Sequence, residues 1–247
     1  MPEFVSLGEN CLPDDVLSFL GKKMESYPFG SGRFNIEYII EVVRSDFREL
    51  LNPEHLEIGT TDKKSVVRNT KVMRSYDIYS DTVTKGFEFT HHFVLDEIPR
   101  KSFERKIKRF LKALTNKQDL IFIYHYRYNP KMQPHRIVEL LVQFQNLLEQ
   151  KFGKKFKCIL WYQNLQSDKR QVLISKNSGI LIGEFHTKDE WEGDDLWNGS
   201  ADRDLFKAFF ENVALKKLVY GNLYMIQPAK AFFLRIIRKM MRPFKSN

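Results

Sequence analysis

The sequence predicts an α/β domain with a layered, largely parallel sheet and helices on both of its faces. Two almost wholly apolar runs, residues 120–124 and 158–162, flank an amphipathic stretch at residues 137–152. Parallel strands buried on both faces have this continuous apolar pattern, and the strand-helix-strand order requires a crossover. A chain of 247 residues, 43% of them hydrophobic, can bury one substantial core. We therefore expect a single domain over residues 1–226 and a basic amphipathic helix over residues 227–247.

The first strand and the first helix are predicted from the opening residues. An apolar run at residues 4–7 is typical of a strand, and the spacing of apolar positions over residues 14–20 is typical of a helix. Pro13 suits the first position of that helix because proline lacks the N–H that would be unpaired there. Cys11 is therefore expected at the turn between the strand and the helix.

The remaining elements follow from the same periodicities. Alternation predicts a strand over residues 85–94, and the polar stretch 57–71 has no clear period and is expected to be a surface loop with short strands. Helical spacing predicts helices over residues 36–51, 103–114 and 204–218, and apolar runs predict strands over residues 172–174 and 180–185.

The net charge of +9 is concentrated in a few segments. Six basic and no acidic residues lie in residues 229–247, and without them the net charge falls to +3. We therefore expect no specific nucleic-acid partner. The basic side chains flank an apolar helical stripe, so the segment is expected either to contact an anionic membrane surface or to dock on the body or on a partner. The candidate membrane contacts are Arg235, Arg238, Lys239 and Arg242.

The chain is expected to stay in the cytoplasm. No apolar window reaches the roughly 18–20 residues that span a bilayer, and the first residues lack the layout of a secretion signal. In a reducing compartment, the two cysteines are expected to be thiols. No zinc-ligand spacing and no glycine-rich nucleotide loop is present, so neither a metal nor a cofactor is expected.

Cys11 is the first candidate for chemistry. The carboxyl ends of parallel strands face the crevice where ligands bind, and a helix N-terminus favours a thiolate. Asp14 and Asp15 oppose this, since they place negative charge at the same helix end. The alternative is a small packed residue, which is what we expect of Cys158 within its apolar strand.

Two motifs then resemble a known family. The stretch FVSLGENC at residues 4–11 and the stretch ESYPF at residues 25–29 resemble the opening of the bacterial putative papain-like cysteine peptidases. Members of that family usually carry Asp after the Phe, where this chain has Gly30. The stretch FTHHF at residues 89–93 is similar to a second family motif, which aligns His91 with the family's histidine.

The resemblance implies nucleophilic catalysis by Cys11 with His91 as general base, the two forming a thiolate–imidazolium pair. Asn10 and the backbone N–H groups around Cys11 would stabilise the oxyanion. Asp96 is the nearest carboxylate to the histidines, but a bond to His91 requires the chain to turn after Phe93. Further expected substrate contacts are Ser26, Tyr27 and His92.

Two tryptophans, Trp191 and Trp197, flank an acidic loop that includes Asp194 and Asp195. Such a loop can stack on and hydrogen-bond a sugar, but tryptophans beside a loop more often fix it to the body, and we favour that interpretation.

The expected function is thus a cysteine-dependent acyl or amide hydrolase or transferase. The family resemblance also implies a setting in bacterial surface-polysaccharide synthesis, with a polysaccharide or peptide-like substrate. The basic segment at residues 229–247 would place the protein peripherally at the inner membrane. The rival functions are a non-catalytic adaptor of that machinery and a glycosyltransferase-like enzyme. The resemblance makes a two-lobed papain-like α+β architecture the second choice of fold.

Overall fold

The computed structural model describes residues 2–61, 64–71, 87–116, 119–126, 134–188, 191 and 199–220. The strands in these residues are β1 (Glu3–Gly8), β2 (Leu56–Thr61), β3 (Lys64–Asn69), β4 (Phe87–Phe89), β5 (Leu120–Tyr126), β6 (Lys157–Asn164), β7 (Gln171–Asn177) and β8 (Ile180–His186). The α-helices are α1 (Leu12–Phe19), α2 (Ile36–Arg44), α3 (Glu97–Thr115), α4 (Pro134–Phe152), α5 (Arg203–Glu211) and α6 (Val213–Tyr220).

A five-stranded mixed sheet organises the chain, in the order β1-β5-β6-β8-β7. The first four strands are parallel, and β7 runs antiparallel to β8 as the edge strand. This confirms the predicted α/β class. The carboxyl ends of β1, β5, β6 and β8 meet at one edge of the sheet, and Cys11 lies just beyond that edge.

Helices cover both faces of the sheet. Alternate residues of the central strands enter two separate cores, so that Phe122 packs with α2, α3 and α4 while Ile123 packs with α1 and α5. In the second core, Trp161 is surrounded by four rings from β8 and α5, namely Phe185, Phe206, Phe209 and Phe210.

A second, antiparallel sheet in the order β2-β3-β4 occupies much of the region expected to be a surface loop with short strands. Its centre holds a buried ion pair, in which Arg68 Nε donates to Glu88 Oε2 at 2.8 Å. The guanidinium also donates to the carbonyl of Thr60. Because polar side chains that pair with each other occupy buried positions in this sheet, the sequence does not show the regular alternation of apolar and polar residues that predicts strands.

The strand expected over residues 85–94 is shorter than predicted. Pairing with β3 ends at Phe89, and the chain turns at Thr90 and His91. Val94 is fully buried in the first core, with Phe93 packed against it, so burial of these residues competes with continued pairing.

Two predicted helices are also interrupted. The helix expected over residues 36–51 ends at Arg44, because Asp46 and Phe47 have positive φ angles of 54° and 63°, yet Phe47 still reaches the core. The helix expected over residues 204–218 is broken at Asn212, whose ψ of 140° is extended. Within the described ranges, no helix has the length and apolarity required to cross a bilayer.

Candidate active site

Gly8 sets the path of the chain towards Cys11. Its φ is +152°, and a Cβ there would lie 2.8 Å from the carbonyl oxygen of His125 on β5. Only glycine permits this close approach of two backbones. The Glu9 N–H then donates to the same carbonyl at 3.2 Å, and the chain leaves the sheet to begin α1 with Cys11 at the N-cap.

The Cys11 thiol is half-buried and hydrogen-bonded to Asp15. Burial raises the pKa of the thiol, and the charge and hydrogen bond of Asp15 raise it further, to about 11. Asp14 adds to the same effect. The thiol is therefore protonated at neutral pH. As the sequence indicates, the two aspartates disfavour the thiolate form of Cys11.

Asp15 interacts with His91 as well as with Cys11. Burial raises the pKa of the Asp15 carboxyl, while the Cys11 hydrogen bond and the charge of His91 act in the opposite direction. His91 is exposed on the turn that follows β4. The structure thus brings Cys11, Asp15 and His91 into one electrostatic neighbourhood.

His92 has a different environment from His91. Its Nε2 lies 2.8 Å from Nζ of Lys106, and its ring packs edge-on against Phe103. Burial, followed by the charges of Lys106 and His91, lowers the pKa of His92 to about 4. His92 is therefore neutral at physiological pH, and its Nε2 accepts a hydrogen bond from the lysine.

Asn10 is buried directly before the nucleophile candidate. Its Oδ1 accepts the Leu12 N–H at 3.0 Å and lies 3.1 Å from Nδ1 of the fully buried His125. Its Nδ2 is buried and has no hydrogen-bond partner within the described part of the chain. An amide donor without a partner beside Cys11 is a chemically suitable group for a developing oxyanion.

Several backbone N–H groups around Cys11 are already occupied. Those of Asp14 and Asp15 both donate to the carbonyl of Cys11, and the Leu12 N–H donates to Asn10. Pro13 has no N–H. The expected backbone contribution to an oxyanion site is therefore smaller than the sequence predicts, which gives the Asn10 side chain more weight.

Asp14 is held on the side of α1 that faces the turn at Pro28–Gly30. Its Oδ1 accepts from Ser6 Oγ at 3.0 Å, and its Oδ2 pairs with Lys23 Nζ at 2.5 Å. A Cβ on Gly30 would lie 2.5 Å from Ser6 Oγ and 2.8 Å from Asp14 Oδ1. The Asp14 carboxylate therefore fills the space that a side chain at position 30 would require.

Three other predicted site residues are described by their burial and contacts. Asp96 is exposed at the start of α3, and Ser26 is half-buried. Tyr27 is buried against Phe110, and its hydroxyl donates to Glu3 Oε1 at 2.5 Å, so its ring packs in the core.

Trp191 is also a core residue. Its Nε1 donates to Asp202 Oδ2 at 2.8 Å, and its ring packs against His125 and Phe206. This arrangement matches a residue that fixes a loop to the body. Residues that lie outside the described part of the chain are Trp197, Asp194, Asp195, Arg235, Arg238, Lys239 and Arg242.

Two groups close to Cys11 were not expected from the sequence, namely Asp15 as a hydrogen-bond partner and His125, and neither was Lys106 beside His92. Asp15 had a usable signal, because residues four apart share one face of a helix. Lys106 and His125 come from distant elements, and nothing in the sequence connects them with Cys11. In the ranges that the structure describes, no group of three or more His, Cys, Asp or Glu side chains has the arrangement of a metal site.

Comparison with known proteins gives one match. The model of a family described as putative papain-like cysteine peptidase (DUF1796) matches residues 2–164, which is about two thirds of the chain. No curated protein and no solved structure matches.

Proposed function

The chain belongs to the family of putative papain-like cysteine peptidases, and from this premise we propose that it hydrolyses or transfers an acyl or amide group, with Cys11 as the nucleophile. One observation carries the proposal. The Cys11 thiol is half-buried at the carboxyl edge of a parallel sheet and hydrogen-bonded to Asp15, which also interacts with His91.

The proposed reaction begins from a protonated thiol. With a pKa of about 11, Cys11 does not form a resting thiolate–imidazolium pair, so its proton leaves as the sulfur attacks. The sulfur bonds to the acyl carbon, His91 takes the thiol proton, and the carbonyl oxygen becomes an oxyanion that Asn10 Nδ2 stabilises. His91 then protonates the leaving group as its bond to the acyl carbon breaks.

The second half of the reaction releases the acyl group. Water, or an acceptor amine or hydroxyl in the transferase case, attacks the thioester carbon and gives its proton to His91. The carbon–sulfur bond then breaks, and Cys11 recovers a proton from His91. Asp15 is a positioning residue in this scheme, because it contacts the thiol in the resting state and interacts electrostatically with His91.

Acyl-enzyme formation tests the proposal directly. The protein is mixed with p-nitrophenyl acetate, and peptide mass spectrometry locates any acetyl group. We expect acetylation of Cys11 in the wild type and a large loss of its rate in His91→Gln. The matched control is His135→Gln, because His135 is exposed on α4. Absence of acetyl-Cys11, or equal rates in the two histidine variants, would exclude the mechanism.

The finer proposal places this activity in bacterial surface-polysaccharide synthesis, on a polysaccharide or peptide-like substrate. It is supported by motif resemblance alone. Peripheral contact of residues 229–247 with an anionic membrane belongs to the same proposal. Flotation with anionic liposomes is expected for the full chain and not for a chain ending at residue 228, and equal flotation of both would refute the contact.

A further inference from the structure

Lys106 differs from the cations Lys23 and Arg109 in the groups that its ammonium contacts. Lys23 pairs with Asp14, and Arg109 lies 3.3 Å from a carboxylate oxygen of Glu25. The Lys106 Nζ lies instead 2.7 Å from Ser31 Oγ and 2.8 Å from His92 Nε2, both of which are neutral groups. Across the residues that the structure describes, no carboxylate lies within ion-pairing distance of it.

The position of Lys106 connects it with the candidate nucleophile. Lys106 contacts Ser31, and the adjacent Gly30 lies against Asp14 on α1. The charge of Asp14 acts on both Lys106 and Cys11. A group bound to Lys106 would therefore lie close to Asp14, whose backbone N–H donates to the carbonyl of Cys11 at 2.9 Å.

Lys106 is a half-buried ammonium whose hydrogen-bond partners are neutral, and the charge of Asp14 compensates it only from beyond ion-pairing distance. Burial lowers the pKa of Lys106. An ammonium has three N–H donors, and Ser31 and His92 account for two of them. Among the described residues, the third donor has no partner, so it is available to an anionic ligand.

We propose that Lys106 is a specificity-determining residue that binds a carboxylate of the substrate, close to the acyl carbon attacked by Cys11. This inference deepens the proposed function and rests on it. A carboxylate fits better than a phosphate, because a single ammonium matches a single negative charge, whereas phosphate sites commonly use several donors or an arginine fork.

The test compares two alkylating reagents that differ in charge. Iodoacetate carries a carboxylate, and iodoacetamide is its neutral analogue. The rates are measured on Cys11 by peptide mass spectrometry, which separates it from the fully buried Cys158. The measured quantity is the iodoacetate rate divided by the iodoacetamide rate, in which differences in intrinsic thiol reactivity largely cancel.

We expect Lys106→Met to reduce this ratio by about two- to fivefold, the effect of one unit charge on another at roughly 5–8 Å in a water-like dielectric. Lys106→Arg should retain the ratio. The matched control is Lys108→Met, which removes the same charge from an exposed position of α3 and should leave the ratio unchanged. In the wild type, the ratio should fall as salt is added.

The outcomes separate this inference from the proposed function. If Cys11 reacts but Lys106→Met and Lys108→Met give the same ratio, the carboxylate site is refuted while the nucleophile stands. If Cys11 fails to react with either reagent, the proposed function fails first. If Lys106→Met does not fold, the salt dependence of the wild-type rate ratio tests the proposal instead. A ratio that is independent of salt would refute the carboxylate site.

A final arm distinguishes carboxylate from phosphate. Acetate and inorganic phosphate are added at equal ionic strength while iodoacetate alkylation is followed. An equal or stronger suppression by acetate supports the assignment. Suppression by phosphate at much lower concentrations would reassign Lys106 to a phosphate group and overturn it.

Discussion

The hydrogen bond between Cys11 and Asp15 leads to the sharpest prediction. Asp15→Asn removes a negative charge beside the thiol and leaves a side chain of nearly the same shape. After burial, the charge and the hydrogen bond of Asp15 are the largest causes that raise the pKa of Cys11. We therefore expect the thiol pKa to fall in the variant.

The magnitude follows from the thiolate population. With a pKa of about 11, about one thiol in a thousand is ionised at pH 8. A charged neighbour typically moves a pKa by roughly 1–3 pH units, and the persisting burial favours the lower part of this range. A change of roughly 1–2 pH units raises the thiolate population about 10- to 100-fold. Lower thiolate basicity reduces the gain, with a Brønsted coefficient of about 0.4–0.5, so the rate should rise about 3- to 16-fold.

The assay is iodoacetamide alkylation of Cys11 between pH 6 and 11. In the wild type, the rate should rise tenfold per pH unit up to about pH 10 without reaching a plateau. The Asp15→Asn variant should react faster at pH 8 and approach its plateau at lower pH. Asp96→Asn is the matched control, because Asp96 is an exposed carboxylate at the start of α3.

Two results would refute the reasoning. A wild-type plateau near the pKa of an ordinary free cysteine would show that neither burial nor Asp15 raises the thiol pKa. An unchanged or slower rate in Asp15→Asn, equal to that of Asp96→Asn, would show that the carboxylate does not restrain the thiol.

Three further predictions concern stability, each measured by urea unfolding. Between pH 6.5 and 4, the unfolded chain binds a proton at His92 that the folded chain resists, so stability is lost as the pH falls through this window. Wild type should lose about 1–2 kcal/mol more than His92→Gln after allowance for solvent screening, and parallel curves would contradict this. Gly30→Ala should lower the free energy of unfolding by about 1–3 kcal/mol, because the new Cβ meets the Ser6 hydroxyl. Ser6→Ala removes that hydroxyl and should recover part of the loss in the double variant, so additive effects of the two substitutions would contradict this prediction. Tyr27→Phe should lower the free energy of unfolding by about 1–3 kcal/mol, because buried Glu3 loses its hydroxyl donor. Acetylation of Cys11 should stay at the wild-type rate in this variant. A reduced acetylation rate in a fully folded variant would return Tyr27 to the substrate site.

The sheet that carries the site was predictable from sequence because its strands are buried on both faces. The runs at residues 120–124 and 158–162 are apolar throughout, and the structure extends them only to Leu120–Tyr126 and Lys157–Asn164. The second sheet was not predictable as such. Its central residues Arg68 and Glu88 form an ion pair inside the protein. The sequence does not indicate which distant charged side chains will neutralise each other in this way.

The candidate site likewise contains residues whose positions the sequence predicts and residues whose environments it does not predict. Cys11 and Asn10 follow a predicted strand, so their place at the carboxyl edge of the sheet was predictable, and the opposing charge of Asp15 follows from helix geometry. The environments of His92 and Lys106 were not predictable, since they depend on where β4 ends and on how α3 packs against the turn at Pro28–Gly30. The role of residues 227–247 stays a prediction.

The two-sided architecture has a practical consequence for anyone shortening this protein. The family match ends at residue 164, with the last residue of β6, whereas the neighbouring strand β8 and the aromatic cover from α5 come later in the chain. A fragment cut at that boundary would leave β6 with an open edge and the indole of Trp161 facing water. Expression plasmids should therefore extend at least through residue 211, because the residues that the family model matches leave out part of the second core.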